Sequence, residues 1–460
     1  MAIREGKNMK VFKKSILLII ASFSLLLASC NGGKQVKPYI TISPDTIEMY
    51  EDEYSLVEAK TNSKKQISFA SENSDVVSVN SSGVLLAKSA GTTVVKATVE
   101  DIFAVCSITV KPISEKIEEH IEFEKSLFVV GLNDEVTENR IVPTFYHGEQ
   151  AISGKTFEYT SLKPTIASVS SDGVITINSV GIASIMVTCE SIKATVIVDI
   201  YDIIIRDIED WEDMLKTTGN KNARFYLDND LDFEGVEYSP YSSYGNNLMG
   251  ELKGNYHTVS NITMKENGSI QSIFGFASVF ALTDIRFINT TFTSLTKNGG
   301  LFTSLYQHYS EIDEIGKSVT LTGSSIINNV LCDFVFSDVT SCFIADKFYG
   351  GNVDNVYVRA SKTSGEPLKE ADTYLMAYSY YTWYGTSHFI NMIGLVENGS
   401  ITKQVKKADP SDDLYYPDTI TDVKTDVAGS IIEANYLASL NFDSNIWDIK
   451  PNELPTFLNN

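Results

Sequence analysis

The chain has 460 residues, long for one domain and suggestive of about three. With 43% apolar, 21% charged and 11% aromatic residues and 11 prolines, it has the makeup of a folded protein, which excludes a disordered tail or a collagen-like rod. A formal net charge of −22 repels phosphate backbones and sets nucleic-acid binding aside. The wealth of Ile, Val, Thr, Ser, Asn, Tyr and Phe predicts an all-β fold with polar turns.

At the N-terminus Lys10, Lys13 and Lys14 precede the apolar run Ser15–Ala28. A basic stretch before so short an apolar one predicts a secretory signal over residues 1–29, with Met9 a more usual start than Met1. The segment Leu27-Ala28-Ser29-Cys30 resembles the lipobox of bacterial lipoproteins. The resemblance implies cleavage before Cys30 and a diacylglycerol on its sulfur, so that Cys30 anchors the chain to a membrane through its lipid. An ordinary cleaved signal with a stray cysteine is the plainer alternative. Removing residues 1–29 takes five of the 37 basic residues and one of the 59 acids, leaving −26. A body that acidic is not drawn onto anionic lipid by charge. Residues 30–37 then form a short polar tether.

Four further cysteines, Cys106, Cys189, Cys332 and Cys342, show no zinc spacing. Cys332 and Cys342 are close enough in sequence to bridge, and two buried thiols are the alternative.

Residues 38–112 and 113–201 form two modules. Placing Ser71 over Ser161 aligns thirty positions at an offset of 90, with Val79 over Val169, Gly83 over Gly173, Val84 over Val174 and Gly91 over Gly181. Short alternating strands with Gly, Ser, Asn and Asp turns describe a β-sandwich. The pattern, from ISPDTIEM through SSGVLLAKSAGTTVVKATV and again in SSDGVITINSVGIASIMVT, resembles the bacterial immunoglobulin-like domain, group 2. The second copy has the poorer opening strand. The resemblance implies a cell-surface spacer or adhesion module with no catalytic role.

From residue 202 to 460 the pattern changes. IEDWEDMLKTTG predicts a helix over Ile208–Gly219 with Ile208, Trp211 and Leu215 on one face. Short apolar segments parted by Asn, Gly and Thr follow it, and they predict a parallel β-helix, or solenoid. At roughly 20–25 residues per coil the stretch would give about ten rungs, with the helix capping the first. FYLDNDLDF and LMGELKGNYHTVSNI, with GGLF at Gly299–Phe302 and the ending IWDIKPNELPTFL, resemble right-handed β-helix domains of bacterial surface proteins with GLUG-type repeats. Lys253 and Tyr256 depart from that pattern, standing where an acid and a glycine are usual.

Asp228, Asp230 and Asp232 alternate like an oxygen-rich calcium loop, but Phe233 and Ser239 occupy the positions where an EF-hand needs Gly and Glu. A strand entering the solenoid is therefore the expectation, with calcium the alternative, and no other cofactor is expected. Tyrosines cluster at Tyr238, Tyr241 and Tyr244, and again at Tyr374, Tyr378, Tyr380 and Tyr381 with Trp383 and Tyr384. An exposed aromatic shelf can stack on sugar rings, which makes the second cluster the candidate ligand surface; tyrosines packed on the solenoid's flank are the alternative.

His257, His308 and His388 have no sequence partners suggesting a triad or metal site. No Gly-rich phosphate loop indicates a nucleotide. The expectation is a monomeric, lipid-anchored, extracytoplasmic envelope protein that presents a β-helix to a polysaccharide or glycoprotein. A polysaccharide lyase or hydrolase, or a structural envelope protein, are the competing readings.

Overall fold

The computed structural model describes residues 37–460 except 64–66, 113–118, 135–138, 220–222, 241–245, 266–269, 307, 313–317, 323–324, 369–372, 375–376, 381–387, 397–418, 422–423, 428–446, 449–453 and 458–460. The fold is all-β with one helix among these residues, and no described helix is long and apolar enough to cross a membrane. Cys30 and its lipobox lie outside the described residues.

The first module runs through β1 (Ile40–Ser43), β2 (Thr46–Tyr50), β3 (Tyr54–Leu56), β4 (Glu58–Thr61), β5 (Ser68–Ser71), β6 (Val77–Val79), β7 (Val84–Ala87), β8 (Gly91–Val99) and β9 (Ile102–Lys111). β8 and β9 form a long antiparallel hairpin, with β5 on one side and β2 running parallel to β9 on the other. The facing sheet is β3-β7-β6. Period-two alternation turns Val95, Ala97 and Val99 inward, where they join Met49, Val57, Leu85 and Ile108. Burial of each such aliphatic side chain stabilises the sandwich by about 1.5–3 kcal/mol.

The second module comprises β10 (Glu119–Phe123), β11 (Leu127–Gly131), β12 (Pro143–His147), β13 (Gln150–Ile152), β14 (Glu158–Ser161), β15 (Ala167–Val169), β16 (Ile175–Ile177), β17 (Gly181–Cys189) and β18 (Ile192–Tyr201). The repeat is kept in four strands: β5, β6, β8 and β9 begin 90 residues before β14, β15, β17 and β18. The opening strand, poor in sequence, still forms, β11 running parallel to β18 as β2 does to β9.

The turn glycines explain the constancy. Gly83 and Gly173 have φ of +82° and +84°, a region costly for any side chain. A Cβ would lie 2.2 Å from the Val57 oxygen in one and 2.9 Å from the Ile141 oxygen in the other. Their carbonyls accept from those same two residues' N–H groups, each at 2.9 Å.

The last region begins with β19 (Ile203–Ile205) and α1 (Ile208–Lys216), then β20 (Arg224–Leu227), β21 (Leu231–Asp232), β22 (Glu237–Tyr238), β23 (Leu248–Lys253), β24 (Thr258–Ser260), β25 (Thr263–Met264), β26 (Gln271–Ser272) and the long β27 (Phe276–Thr291). It continues with β28 (Lys297–Gly300), β29 (Phe302–Tyr306), β30 (His308–Ile312), β31 (Ser318–Thr322), β32 (Ile326–Phe336), β33 (Thr340–Cys342), β34 (Ala345–Tyr349) and β35 (Asn352–Lys362). It closes with β36 (Thr373–Tyr374), β37 (Ala377–Tyr380), β38 (His388–Val396), β39 (Thr419–Thr421), β40 (Lys424–Val427), β41 (Trp447–Asp448) and β42 (Thr456–Phe457).

β19-β20-β23-β27-β32-β35-β38-β39 run in succession, each parallel to the next, as the spine of one sixteen-stranded sheet. A second parallel stack is β26-β28-β33-β36. The strands stack coil on coil, and among the described residues the coils are longer than expected. Phe225 sits beside Leu252, Leu252 beside Leu282, Leu282 beside Ile327, Ile327 beside Val353 and Val353 beside Phe389, so that coils take 26 to 45 residues. The longest carries the antiparallel pair β30–β31 as an excursion from the wall.

Corners fall at short polar residues. Asp284, Asn329 and Asn355, one above another, all have positive φ (+56°, +55° and +53°), which Asn and Asp tolerate best among residues with a side chain. Asn329 Nδ2 donates to Asp284 Oδ1 at 2.9 Å, tying coil to coil; burial raises the Asp284 carboxyl above the usual carboxylate range.

The helix ends three residues earlier than expected. Asp207 caps it by accepting from the Asp210 N–H at 3.0 Å, and Thr217 leaves the helical region. Trp211, Met214 and Leu215 are buried inside the solenoid. The Trp211 ring packs on Phe233, Phe274 and Phe287, and its Nε1 donates to Tyr238 Oη at 3.1 Å, which in turn donates to the Ile273 carbonyl.

Cys106, Cys189, Cys332 and Cys342 are free and buried, so Cys332 and Cys342 do not bridge. Burial, aided by Asp45, pushes the Cys106 thiol up to about 11, and burial also raises Cys332 well above its ordinary value. A chain starting at Pro38 should therefore resist thiol alkylation at neutral pH, where the thiolate is the reactive form. Four alkyl groups should add in denaturant without reductant, as counted by mass spectrometry; two would reveal a bridge.

Where the second module meets the solenoid, Arg206 Nη2 bonds Asp134 Oδ2 at 2.6 Å. That hydrogen bond, the backbone N–H of Gly131 and the Arg206 charge hold the Asp134 carboxyl below its ordinary value against a smaller desolvation effect. A lowered carboxylate contributes stability above its unfolded value near 4 and loses it as pH falls through the folded value. Solvent screens this half-exposed pair, so Asp134→Asn should cost about 0.5–1 kcal/mol at pH 7. The difference from the parent should shrink as pH falls, as read from urea midpoints at pH 7 and pH 2.

Candidate functional site

The aromatic cluster chosen from sequence is not an exposed shelf throughout. Tyr374 ends β36, where it pairs with Cys342 of the coil before; it is 7% exposed and its carbonyl accepts from Phe343 N–H. It belongs to the wall. Tyr378 lies on β37 between the Ala345–Ala377 and Lys347–Ser379 pairs, and Tyr380 stands beside Phe348. Tyr381, Trp383 and Tyr384 lie outside the described residues, as do Tyr241 and Tyr244. Tyr238 is buried beneath Trp211.

An aromatic step that sequence reasoning missed does form. Tyr306 at the end of β29 and Tyr349 at the end of β34 are in register, with rings 4.3 Å apart and 15° from parallel. Their strands stack directly upon one another, and β37 follows on the next coil. The signal was present in SLY and KFY, an apolar residue then tyrosine at the same point of successive coils. Without the register nothing in the sequence joined two tyrosines 43 positions apart. Tyr306 is 8% exposed and Tyr349 half-buried, so the step offers ring edges and hydroxyls rather than open faces.

The same wall carries two ion pairs. Lys297 Nζ lies 3.1 Å from Asp346 Oδ1, with Asp346 buried. Arg359 grips Asp333 through Nε at 2.8 Å and Nη2 at 2.9 Å, a fork matched to a carboxylate. Each links neighbouring parts of the wall.

The three alternating aspartates are engaged one by one. Asp230 Oδ1 accepts from Thr258 N–H at 2.7 Å and lies 3.1 Å from His257 Nδ1. Asp232 Oδ1 accepts from Asn261 Nδ2 at 2.8 Å, and Asn261 Oδ1 accepts from Asn289 Nδ2 at 2.7 Å, so Asp232 is the first rung of a side-chain ladder up three coils. Asp228 faces Arg206 at 3.8 Å. Among the described residues no three His, Cys, Asp or Glu side chains are arranged to hold a metal ion. Each of the three carboxylates thus has its own protein partner, and Asp230 and Asp232 bond to the next coil. Of the histidines, His308 opens β30 and His388 opens β38, on separate strands.

Comparison with known proteins bears on the first sandwich. Residues 40–110 match the bacterial Ig-like domain (group 2). No curated protein matches the chain. Among solved structures it is similar to the tandem Ig repeats of Dlar (10% identity, 36% of this chain and 96% of that one, TM-score 0.21). Others are S-layer protein SbsC domains 5–6 (14%, 35% and 96%, TM-score 0.17) and human protocadherin-24 EC1-2 (9%, 35% and 97%, TM-score 0.15). Identities and scores this low carry no argument about fold or function; the assignment of the second sandwich rests on its own strand pairing.

Proposed function

We propose that this is a cell-envelope surface protein of adhesion type, tethered by a lipid on Cys30, whose two immunoglobulin-like modules present a right-handed β-helix to a polymeric ligand. The match of residues 40–110 to a bacterial Ig-like domain supports the surface setting. The observation that carries the binding role is the stack of parallel coils, which repeats side-chain positions about every 4.8 Å along one flank. A ladder of that kind suits an extended partner such as a polysaccharide or glycoprotein better than a small molecule. The Tyr306–Tyr349 step and β37 above it are the part of the flank assigned to contact.

The test incubates the chain lacking its leader with acidic and neutral polysaccharides and follows both by size-exclusion chromatography. Co-migration that falls at least tenfold in affinity on Tyr349→Ser, with the circular dichroism unchanged, is the expected result. Shortening of a polymer would replace binding by hydrolysis or lysis. Neither effect with any polymer would remove the glycan reading.

A further inference from the structure

The joint between the sandwiches and the solenoid is built around one arginine. β18 passes into β19 through a single residue, Asp202. Asp202 N–H donates to the Arg224 carbonyl at 2.8 Å, while its carboxylate accepts from Arg224 N–H at 2.8 Å. The Arg224 guanidinium lies 4.3 Å from the centre of the fully buried Tyr201 ring, whose hydroxyl donates to Asp199 at 2.9 Å.

The donors of that guanidinium divide among all three modules. Nη1 bonds Asp199 Oδ1 at 2.7 Å and the Ile200 carbonyl at 3.0 Å, both in the second sandwich. Nε bonds Glu251 Oε1 at 2.6 Å, in the solenoid's second coil. Nη2 bonds Ser82 Oγ at 2.9 Å, in the β6–β7 turn of the first sandwich. Asp199 is buried and Arg224 nearly so, and the two partners' charges hold Arg224 above its ordinary value despite the opposing desolvation.

Apolar contact follows the same line. Val129 and Tyr201 of the second sandwich pack with Ile204 and Tyr226 of the first coil, and Leu132 N–H donates to the Tyr201 carbonyl at 2.7 Å. Lys163 of the second sandwich pairs with Glu58 of the first. The first sandwich therefore does not simply trail from the second; its Ser82 turn reaches back to the solenoid.

A stack of parallel coils has an end problem, since its first strand bares an edge and an apolar rim that must be covered. We infer that the two sandwiches are the solenoid's N-terminal cap and that the three modules form one rigid body locked through Arg224. A buried charge network of this kind stabilises little overall but fixes a single arrangement, because every alternative leaves a buried charge unpaired. The inference is independent of what the flank binds. Its consequence is orientational: the solenoid is presented at a set angle to its tether and does not swing.

Spin labels on Lys60→Cys in the first sandwich and Leu295→Cys in the solenoid, in a chain starting at Pro38, measure this directly by pulsed electron resonance. The native thiols are buried. A single narrow distance distribution is expected, broadening in Arg224→Met. A broad distribution in the parent, or one that stays narrow in Arg224→Met, would overturn the inference. Should Arg224→Met not fold, Ser82→Ala decides. It removes one hydroxyl from the first sandwich yet should speed amide exchange at 224–227 about fivefold, the effect of one lost hydrogen bond on a local opening equilibrium. Exchange in β8–β9 should not change. Unaltered exchange at 224–227 would equally refute the lock.

Discussion

Trp211→Ala is expected to cost about 3–5 kcal/mol of unfolding free energy, near the limit for a single core truncation. The helix is short and its backbone alone would not hold it in place; what fixes it is an indole wedged among Phe233, Phe274 and Phe287, rings from different coils. Removing that ring leaves a cavity that three aromatic side chains from separate segments of the chain cannot close together. Trp211→Phe should cost less, about 1–2 kcal/mol, since it keeps most of the volume and loses the Nε1 bond to Tyr238. Urea unfolding followed by circular dichroism tests both, Trp383 and Trp447 making fluorescence ambiguous. Equal losses in the two variants would mean that the hydrogen bond, not the packing, positions the helix.

Gly300→Ala is expected to prevent accumulation of folded protein, or to cost at least about 3 kcal/mol if any folds, because left-handed strain and a backbone collision add together. Gly300 has φ +64°, and a Cβ there would lie 2.1 Å from the Phe343 oxygen and 2.5 Å from that of Cys342. Neither oxygen can retreat cheaply, since Phe343 O already accepts from Leu301 N–H in the same wall. Gly365→Ala is the control: φ is +72° but nothing lies within 4 Å of the added atom, so only the conformational cost of about 1–2 kcal/mol should appear. Thermal midpoints of the two variants should differ accordingly. Indistinguishable midpoints would show that the wall yields at Gly300.

The contrast shows what the sequence could convey. Turn glycines and the alternation of Val, Ile and Thr are local signals, so the two sandwiches were legible to the residue at Gly83 and Gly173. Trp211 was legible as a buried helix residue because its neighbours at helical spacing were apolar. Coil length was not, since an excursion such as β30–β31 interrupts the wall without altering its composition. Of the candidate surface only a run of tyrosines reaching β37 was legible; which of them the wall absorbs depends on pairing with Cys342 and Phe348. Arg224 was not legible at all. It is an ordinary cation before an ordinary apolar strand, and its partner Ser82 stands 142 residues earlier.

The departure at Tyr256 has a meaning for how the chain is finished. Tyr256 holds φ +68°, where glycine would be at ease, and its ring meets Phe457 at 5.0 Å, with Trp447 behind at 4.3 Å. About 200 residues separate the two ends of that contact, so it demands the greatest loop closure in the solenoid and belongs among the last to form. A chain emerging N-terminus first would stack its coils in order and wait for its closing residues, Thr456 and Phe457, before Tyr256 is covered. Completion of the fold is then registered at the second coil.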